Sequence, residues 1–295
     1  MTVTANPPAT EEWLDSTGGR ILTRYWEPKD RPRASLVMCH GVNSHGGQYI
    51  RAGEIFAGRG YAATTLDLRG RGQSDGERFY IENVSEYVTD LALTIEHARA
   101  RHPDLPVYLL GHSAGGVTSV SYALDYQERI AGLICESFAF RVYAPDFGLT
   151  LLRAASHIAP RLPVLKLKME DFSRDPAWVA ELNADPLCKG EKQPIGTVAA
   201  LVRAGQRFEK EFGTITLPVL IMHGTADKAT RPDGSKQFFD ETGSSDKELK
   251  LYDGYYHDLL NDIGREQIFD DIDSWIGARL PVEQSVSMPG PTGTA

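Results

Sequence analysis

The sequence predicts an α/β fold: a mostly parallel sheet covered by helices and interrupted by one inserted segment. Three observations lead there. Short apolar runs alternate with longer amphipathic stretches along most of the chain, the pattern of strands joined by covering helices. Several of these runs are apolar throughout, as strands buried on both faces require. The alternation stops between about Phe138 and Ile215 and resumes at Leu217.

Taken in chain order, the strand candidates are 21–26, 35–39, 62–67, 107–110, 130–135, 218–222 and 249–252. Helices are predicted over 49–58, 85–101, 116–126, 234–241 and 265–280. The last of these repeats Ile268, Phe269, Ile272, Trp275 and Ile276 three and four apart, one buried stripe. Inside the break, Phe147, Leu151, Ala154, Ala155 and Ile158 fall at helical spacing, Pro-punctuated segments follow, and a helix is predicted near 198–211. The organisation expected is a core of residues 11–137 and 216–280 with a cap over 138–215. Such a cap sits over the carboxyl edge of the sheet, where open α/β sheets bind ligands. Residues 281–295, rich in Pro, Gly, Ser and Thr, read as a disordered tail, and the first ten or so look equally loose.

Composition narrows the function. Of 295 residues, 41% are apolar and 24% charged, ordinary values for a soluble globular chain. A net charge of −9 argues against a nucleic-acid partner, which would require a basic face. Cys39, Cys135 and Cys188 are odd in number and widely spaced, which fits neither a disulfide framework nor a zinc pattern. No secretory signal opens the chain, and no run approaches the ~18 apolar residues of a membrane span. A cytoplasmic protein is expected.

Gly111-His112-Ser113-Ala114-Gly115 is a G-x-S-x-G pattern. It follows the apolar run 107–110 and precedes an amphipathic stretch, giving strand, tight turn and helix. That turn tolerates only small flanking residues, lifts the Ser113 hydroxyl out at the sheet edge and points a helix N-terminus at it. A serine hydroxyl needs a base, and the base needs an acid that fixes its tautomer. His257, in the loop after the run 249–252, is the base candidate; Asp227, after the run 218–222, is the acid candidate, with Glu136 as its rival one strand earlier. His97 and His102 belong to a helix and its end, His157 to the cap, and the His112 side chain is expected to point away from the site. Two N–H donors are needed for the oxyanion; Ala114, after the nucleophile, and Val42, after the run 35–39, are assigned to it.

Six segments in order then resemble the monoacylglycerol lipase and lysophospholipase group of α/β-hydrolases, across residues 13–280. They are His40-Gly41-Val42-Asn43-Ser44-His45-Gly46-Gly47-Gln48-Tyr49, Asp67-Leu68-Arg69-Gly70-Arg71-Gly72-Gln73-Ser74 and Gly111-His112-Ser113-Ala114-Gly115-Gly116. Then come Asn183-Ala184-Asp185-Pro186-Leu187, His223-Gly224-Thr225-Ala226-Asp227 and Tyr252-Asp253-Gly254-Tyr255-Tyr256-His257. The resemblance implies the α/β-hydrolase fold, a mostly parallel eight-stranded sheet flanked by helices, with a helical cap roofing an acyl-chain tunnel. It implies the same triad and oxyanion donors, and no metal or cofactor.

The first loop departs from the group's frequent H-G-x-G-E-H-x-x-R-Y: Asn43 stands for the second glycine, Ser44 for Glu and Gln48 for Arg. Leu260 stands where some members place a polar head-group contact. Loss of polar partners weakens discrimination of hydroxyls, so monoacylglycerols and a broader range of esters stand level as substrates. His40, Gly41, Asn43, Ser44, Gln48 and Leu260 are substrate-contact candidates on the body. Phe138, Phe147 and Leu151 are acyl-pocket candidates on the cap, with core packing as the alternative for each. The Lys-flanked run Val164-Leu165-Lys166-Leu167-Lys168-Met169 reads as a loop with snorkelling lysines, or as a transient contact with lipid surfaces.

The expected function is cleavage of carboxylic esters through an acyl-enzyme, with lipid-type esters such as monoacylglycerols or lysophospholipids as substrates. Short-chain esters and thioesters are the alternatives within enzymes. A non-catalytic ligand receptor or scaffold is the alternative outside them.

Overall fold

The computed structural model describes residues 9–143 and 146–280; within these, the side chains of residues 146, 147 and 149–151 are outside the description. In chain order the elements are β1 (Thr10–Ser16), β2 (Gly19–Trp26), β3 (Ala34–Cys39), α1 (Ile50–Gly58), β4 (Tyr61–Leu66) and α2 (Val84–Arg101). Next come β5 (Val107–His112), α3 (Ala114–Tyr126), β6 (Gly132–Glu136), α4 (Asp146–Ser156), β7 (Pro163–Leu165) and α5 (Pro176–Ala184). The chain continues with β8 (Gln193–Pro194), α6 (Ile195–Glu211), β9 (Val219–Gly224), α7 (Pro232–Glu241), β10 (Lys247–Tyr252) and α8 (Arg265–Gly277).

Eight strands form one sheet in the order β1-β2-β4-β3-β5-β6-β9-β10. The β1–β2 and β2–β4 pairs are antiparallel and the remainder parallel. Every residue of β3, β4, β5, β6 and β9 is buried, which is why these strands are legible as apolar runs. Helices cover both faces. Leu91 and Ile95 of α2, Val117 and Val120 of α3, and Phe208 of α6 pack on one; Phe56 of α1 and the Ile268, Phe269, Ile272, Trp275, Ile276 stripe of α8 pack on the other. No helix among the described residues is long and apolar enough to cross a membrane.

Four elements have no counterpart in the sequence reading. β1 (Thr-Glu-Glu-Trp-Leu-Asp-Ser) is an edge strand with alternating exposed and half-buried residues, so its apolar signal is weak, and antiparallel pairing with β2 holds it. β7 and β8 are too short to show a period and pair only with each other. α5 opens with Asp175 as N-cap, accepting the Ala177 N–H at 3.0 Å, followed by Pro176. That start signal is present in the sequence, but the helix buries only Trp178 and Leu182 and so lacks a readable stripe. The tail over 281–295 lies outside the described residues.

The Asp67–Ser74 motif is a buried polar joint. Asp67 accepts from Arg24 at 2.7 Å, the Gly46 N–H at 2.8 Å and the Gln73 N–H at 2.8 Å. Arg71, fully buried, donates to Glu191, Gln193 and Tyr87. Glu191 in turn accepts the Asn43 N–H at 3.1 Å. The loop after β3 is thereby tied to the segment inserted between β6 and β9, and both are fixed against the sheet edge.

Candidate active site

Ser113 stands between β5 and α3 with φ of 56° and ψ of −119°, a conformation L-residues rarely adopt. Its N–H donates to the Glu136 carbonyl at 2.9 Å, and its own carbonyl accepts from Gly116 at 3.0 Å and Ala139 at 3.2 Å. These bonds over-determine the strained backbone. A Cβ at Gly111 would come within 2.4 Å of Ser119 Oγ, and one at Gly115 within 2.2 Å of the Cys39 carbonyl oxygen; both positions therefore exclude side chains. Ala114 is the first residue of α3, where the helix itself leaves its N–H groups without partners.

His257 and Asp227, both buried, meet at 2.8 Å between Nδ1 and Oδ2. Oδ2 also accepts from Thr230 Oγ1 at 2.7 Å and lies 3.0 Å from His223 Nε2. Oδ1 accepts the N–H groups of Ala229 at 2.7 Å and Thr230 at 3.0 Å. Burial alone would raise the Asp227 pKa, but His257 and His223 facing the carboxylate hold it far below the ordinary range. His257 Nε2 is buried and has no hydrogen-bond partner among the described residues.

The rival acid is arranged otherwise. Glu136 Oε1 accepts the Leu260 N–H at 3.2 Å, while Oε2 is buried without a partner. Burial and the neighbouring Asp258 carboxylate push the Glu136 pKa well up.

The loop after β3 brings Gly41 against the elbow: a Cβ there would lie 3.0 Å from Ser113 Cβ and 3.3 Å from the Ala114 nitrogen. Val42 follows directly. Asn43 has φ of 54°, in the left-handed region that glycine and Asn share. Asn43, Ser44 and Gln48 line a small recess together with Phe172, Trp178 and Asp258. Gln48 Nε2 donates to Asp185 Oδ2 at 2.8 Å.

Other candidates for substrate contact fall elsewhere. His40 is wholly buried; its Nδ1 bonds the Gly41 carbonyl at 2.7 Å and its Nε2 accepts the Leu68 N–H at 3.0 Å. Both nitrogens serve the loop, and burial pushes its pKa down to about 3. Phe138 is fully buried in a cluster with Phe140, Phe208, Phe212 and Phe238, which is the core-packing alternative. Leu260 is buried among core residues against the α1–α8 face. The side chains of Phe147 and Leu151 lie outside the described residues.

Four residues that the sequence reading does not place at the site lie around His257 and Asp227. The His112 ring lies 4.8 Å from the His257 ring, not away from the site, because the strand delivers it on the same side as the histidine loop. Burial, then the nearby His257, pushes its pKa well down. Phe172 meets the His257 ring edge-on at 4.9 Å. Trp178 Nε1 donates to Asp258 Oδ2 at 2.7 Å, and His223 reaches Asp227 as above. For Trp178 the Asp-Pro helix start was the available signal; for Phe172 there was none.

Two groups of side chains bring potential cation ligands within 4.8 Å of one another among the described residues: His45, Asp185 and Cys188, and His112, Glu136 and Asp258. In the first, His45 Nε2 already bonds Asp185 Oδ2 at 2.8 Å, so a cation would have to displace a proton. The geometry around Ser113 suits acyl transfer: a hydroxyl on a strained turn, an imidazole held by a carboxylate, and a helix N-terminus.

The chain is similar to known proteins over most of its length. The family model described as serine aminopeptidase, S33, matches residues 30–264. A monoacylglycerol lipase of Mycolicibacterium smegmatis is 32% identical over 265 residues, 89% of this chain and 95% of that protein. The human monoglyceride lipase is 29% identical, covering 94% of this chain and 93% of its own. The crystal structure of the monoacylglycerol lipase of Paleococcus ferrophilus superposes with a TM-score of 0.79 at 28% identity, over 88% of this chain and 99% of that one.

Proposed function

The chain belongs to the serine aminopeptidase S33 family of hydrolases, and we propose that it cleaves lipid-type carboxylic esters, monoacylglycerols among them, through an acyl-enzyme on Ser113. The observation that carries this reading is the 2.8 Å bond between His257 Nδ1 and Asp227 Oδ2, set at the same sheet edge as the strained Ser113 turn. Ser113 Oγ attacks the ester carbonyl carbon as His257 Nε2 takes its proton. The N–H groups of Val42 and Ala114 receive the oxyanion. Collapse breaks the bond to the alcohol oxygen, which leaves with the proton from His257. Water then attacks the acyl-serine by the same path, releasing the carboxylic acid and restoring Ser113.

The segment between β6 and β9 is the cap in this reading. Its Ile158, at 88% exposure, with Leu162, Val164 and Leu165, presents apolar side chains to solvent, beside exposed Lys166 and Lys168. That combination suits transient contact with a lipid surface.

A second reading, a short-chain esterase, is favoured by the small recess beside the site, whose lining sets Asn43, Ser44 and Gln48 against Phe172 and Trp178. Hydrolysis of p-nitrophenyl esters from acetate to palmitate, alongside a monoacylglycerol and with Ser113→Ala as control, separates the two. Activity that rises with chain length and includes the monoacylglycerol supports the lipid reading; activity confined to short acyl groups supports the second. Turnover that survives Ser113→Ala removes both.

A further inference from the structure

The acid at the site serves two imidazoles, not one. His223 ends β9 one residue before its last glycine and is wholly buried. Its Nε2 lies 3.0 Å from the Asp227 Oδ2 that also bonds His257 Nδ1 at 2.8 Å. Its Nδ1 lies 2.7 Å from Ser235 Oγ on α7, also buried. An ionised carboxylate only accepts hydrogen bonds. The proton therefore sits on His223 Nε2, and Nδ1 takes the Ser235 hydroxyl proton. The result is a directed chain: Ser235 Oγ–H to His223 Nδ1, His223 Nε2–H to Asp227, with His257 Nδ1–H entering from the other side.

We infer that His223 is a positioning residue that sets the basicity of His257 through the carboxylate they share. This rests on the triad reading of Ser113, Asp227 and His257. An N–H donor aimed at a carboxylate draws off part of its negative charge. Without it, Asp227 holds the His257 imidazolium more tightly, so His257 keeps its proton to higher pH. The rest of its surroundings stay constant in this comparison: Asp227 and Thr230 at Nδ1, His112 beside the ring, and Asp258 next in the chain with Glu136 behind it.

The test uses the rate at which a fluorophosphonate labels Ser113 as a function of pH, a readout that needs no knowledge of the natural substrate. His223→Phe keeps a ring but removes the N–H; the midpoint of the labelling profile is expected to rise by roughly half to one pH unit. His223→Gln, which can offer an amide N–H to Oδ2, returns the midpoint to the wild-type value. Ser235→Ala frees the tautomer of His223 and gives a smaller rise, and it serves should the Phe variant fail to fold. Folding is checked by thermal melting. An unchanged midpoint in every folded variant, with wild-type Ser113 labelled normally, overturns the inference and leaves the triad standing. Absence of labelling at Ser113 in the wild type overturns the triad reading and this inference together.

Discussion

Two buried carboxylates stand at the carboxyl edge of the sheet on neighbouring strands. Glu136 ends β6, opposite Met222 of β9, and Asp227 lies three residues beyond the end of β9. Asp227 is surrounded by donors on both oxygens and is held ionised. Glu136 has the Leu260 N–H on one oxygen and no partner on the other, and burial beside Asp258 drives it toward the neutral acid. Burial is common to both. What separates them is the number of N–H and O–H groups aimed at each. A carboxylate that must stay charged beside an imidazolium through a catalytic cycle needs such donors built in. That criterion favours Asp227 as the proposed acid, while Glu136 ties the Leu259–Asn261 turn to the sheet.

The largest effect that tests the contrast is Asp227→Asn, expected to lower ester turnover by about 10⁴-fold, because the amide favours the wrong tautomer of His257. Glu136→Gln should leave kcat within about threefold, since a neutral amide replaces a group already pushed toward neutrality. If the two results exchanged places, the acid would be Glu136.

Stability against pH separates the pair again, with opposite slopes. Asp227 is depressed in the fold, so its contribution is complete above the ordinary value of 3.8 and is lost as pH falls below it. Glu136 is raised, so its contribution is complete below the ordinary value of 4.5 and is lost as pH rises toward its folded value. Denaturant unfolding of Glu136→Gln should therefore show a stability that gains on wild type as pH rises above 4.5. A constant difference across that window would mean that Glu136 is charged in the fold. The smallest effect belongs to Asp258, which shares the Glu136 environment: Trp178→Phe removes its 2.7 Å donor and should cost about 1 to 3 kcal/mol of stability in the same assay.

Much of this site is legible along the chain, but unevenly. Ser113 shows itself because a tight strand–turn–helix connection demands glycines at fixed offsets, and the residues a Cβ would strike at Gly111 and Gly115 give the reason. Asp227 shows itself by following the apolar run of β9, and His257 by its place in the loop after β10. His40 and Phe138 were misplaced for one reason: a motif says which loop or element a residue belongs to, not which way its side chain turns. His40 turns into its own loop, with both nitrogens engaged. Phe138 turns into an aromatic cluster assembled from α6, α7 and the chain after β6. The left-handed backbone of Asn43 likewise shows only in the fold.

By itself the sequence determined the main alternation of strands and helices, the apolar runs that become the doubly covered sheet, and three candidate side chains for its edge. These follow from local chemistry: periodicity, turn residues and the spacing of small residues around Ser113. Only the tertiary structure shows how differently Asp227 and Glu136 are surrounded, because that depends on hydrogen-bond donors supplied by Thr230, His223 and His257. It also brought His112, Phe172 and Trp178 to the neighbourhood of His257, and it joined the loop after β3 to the inserted segment through Arg71 and Glu191. Contacts between separate segments of the chain, such as Arg71 with Glu191 or Trp178 with Asp258, have no period and no motif. They exist only once burial has brought their polar atoms together and left each in need of a partner.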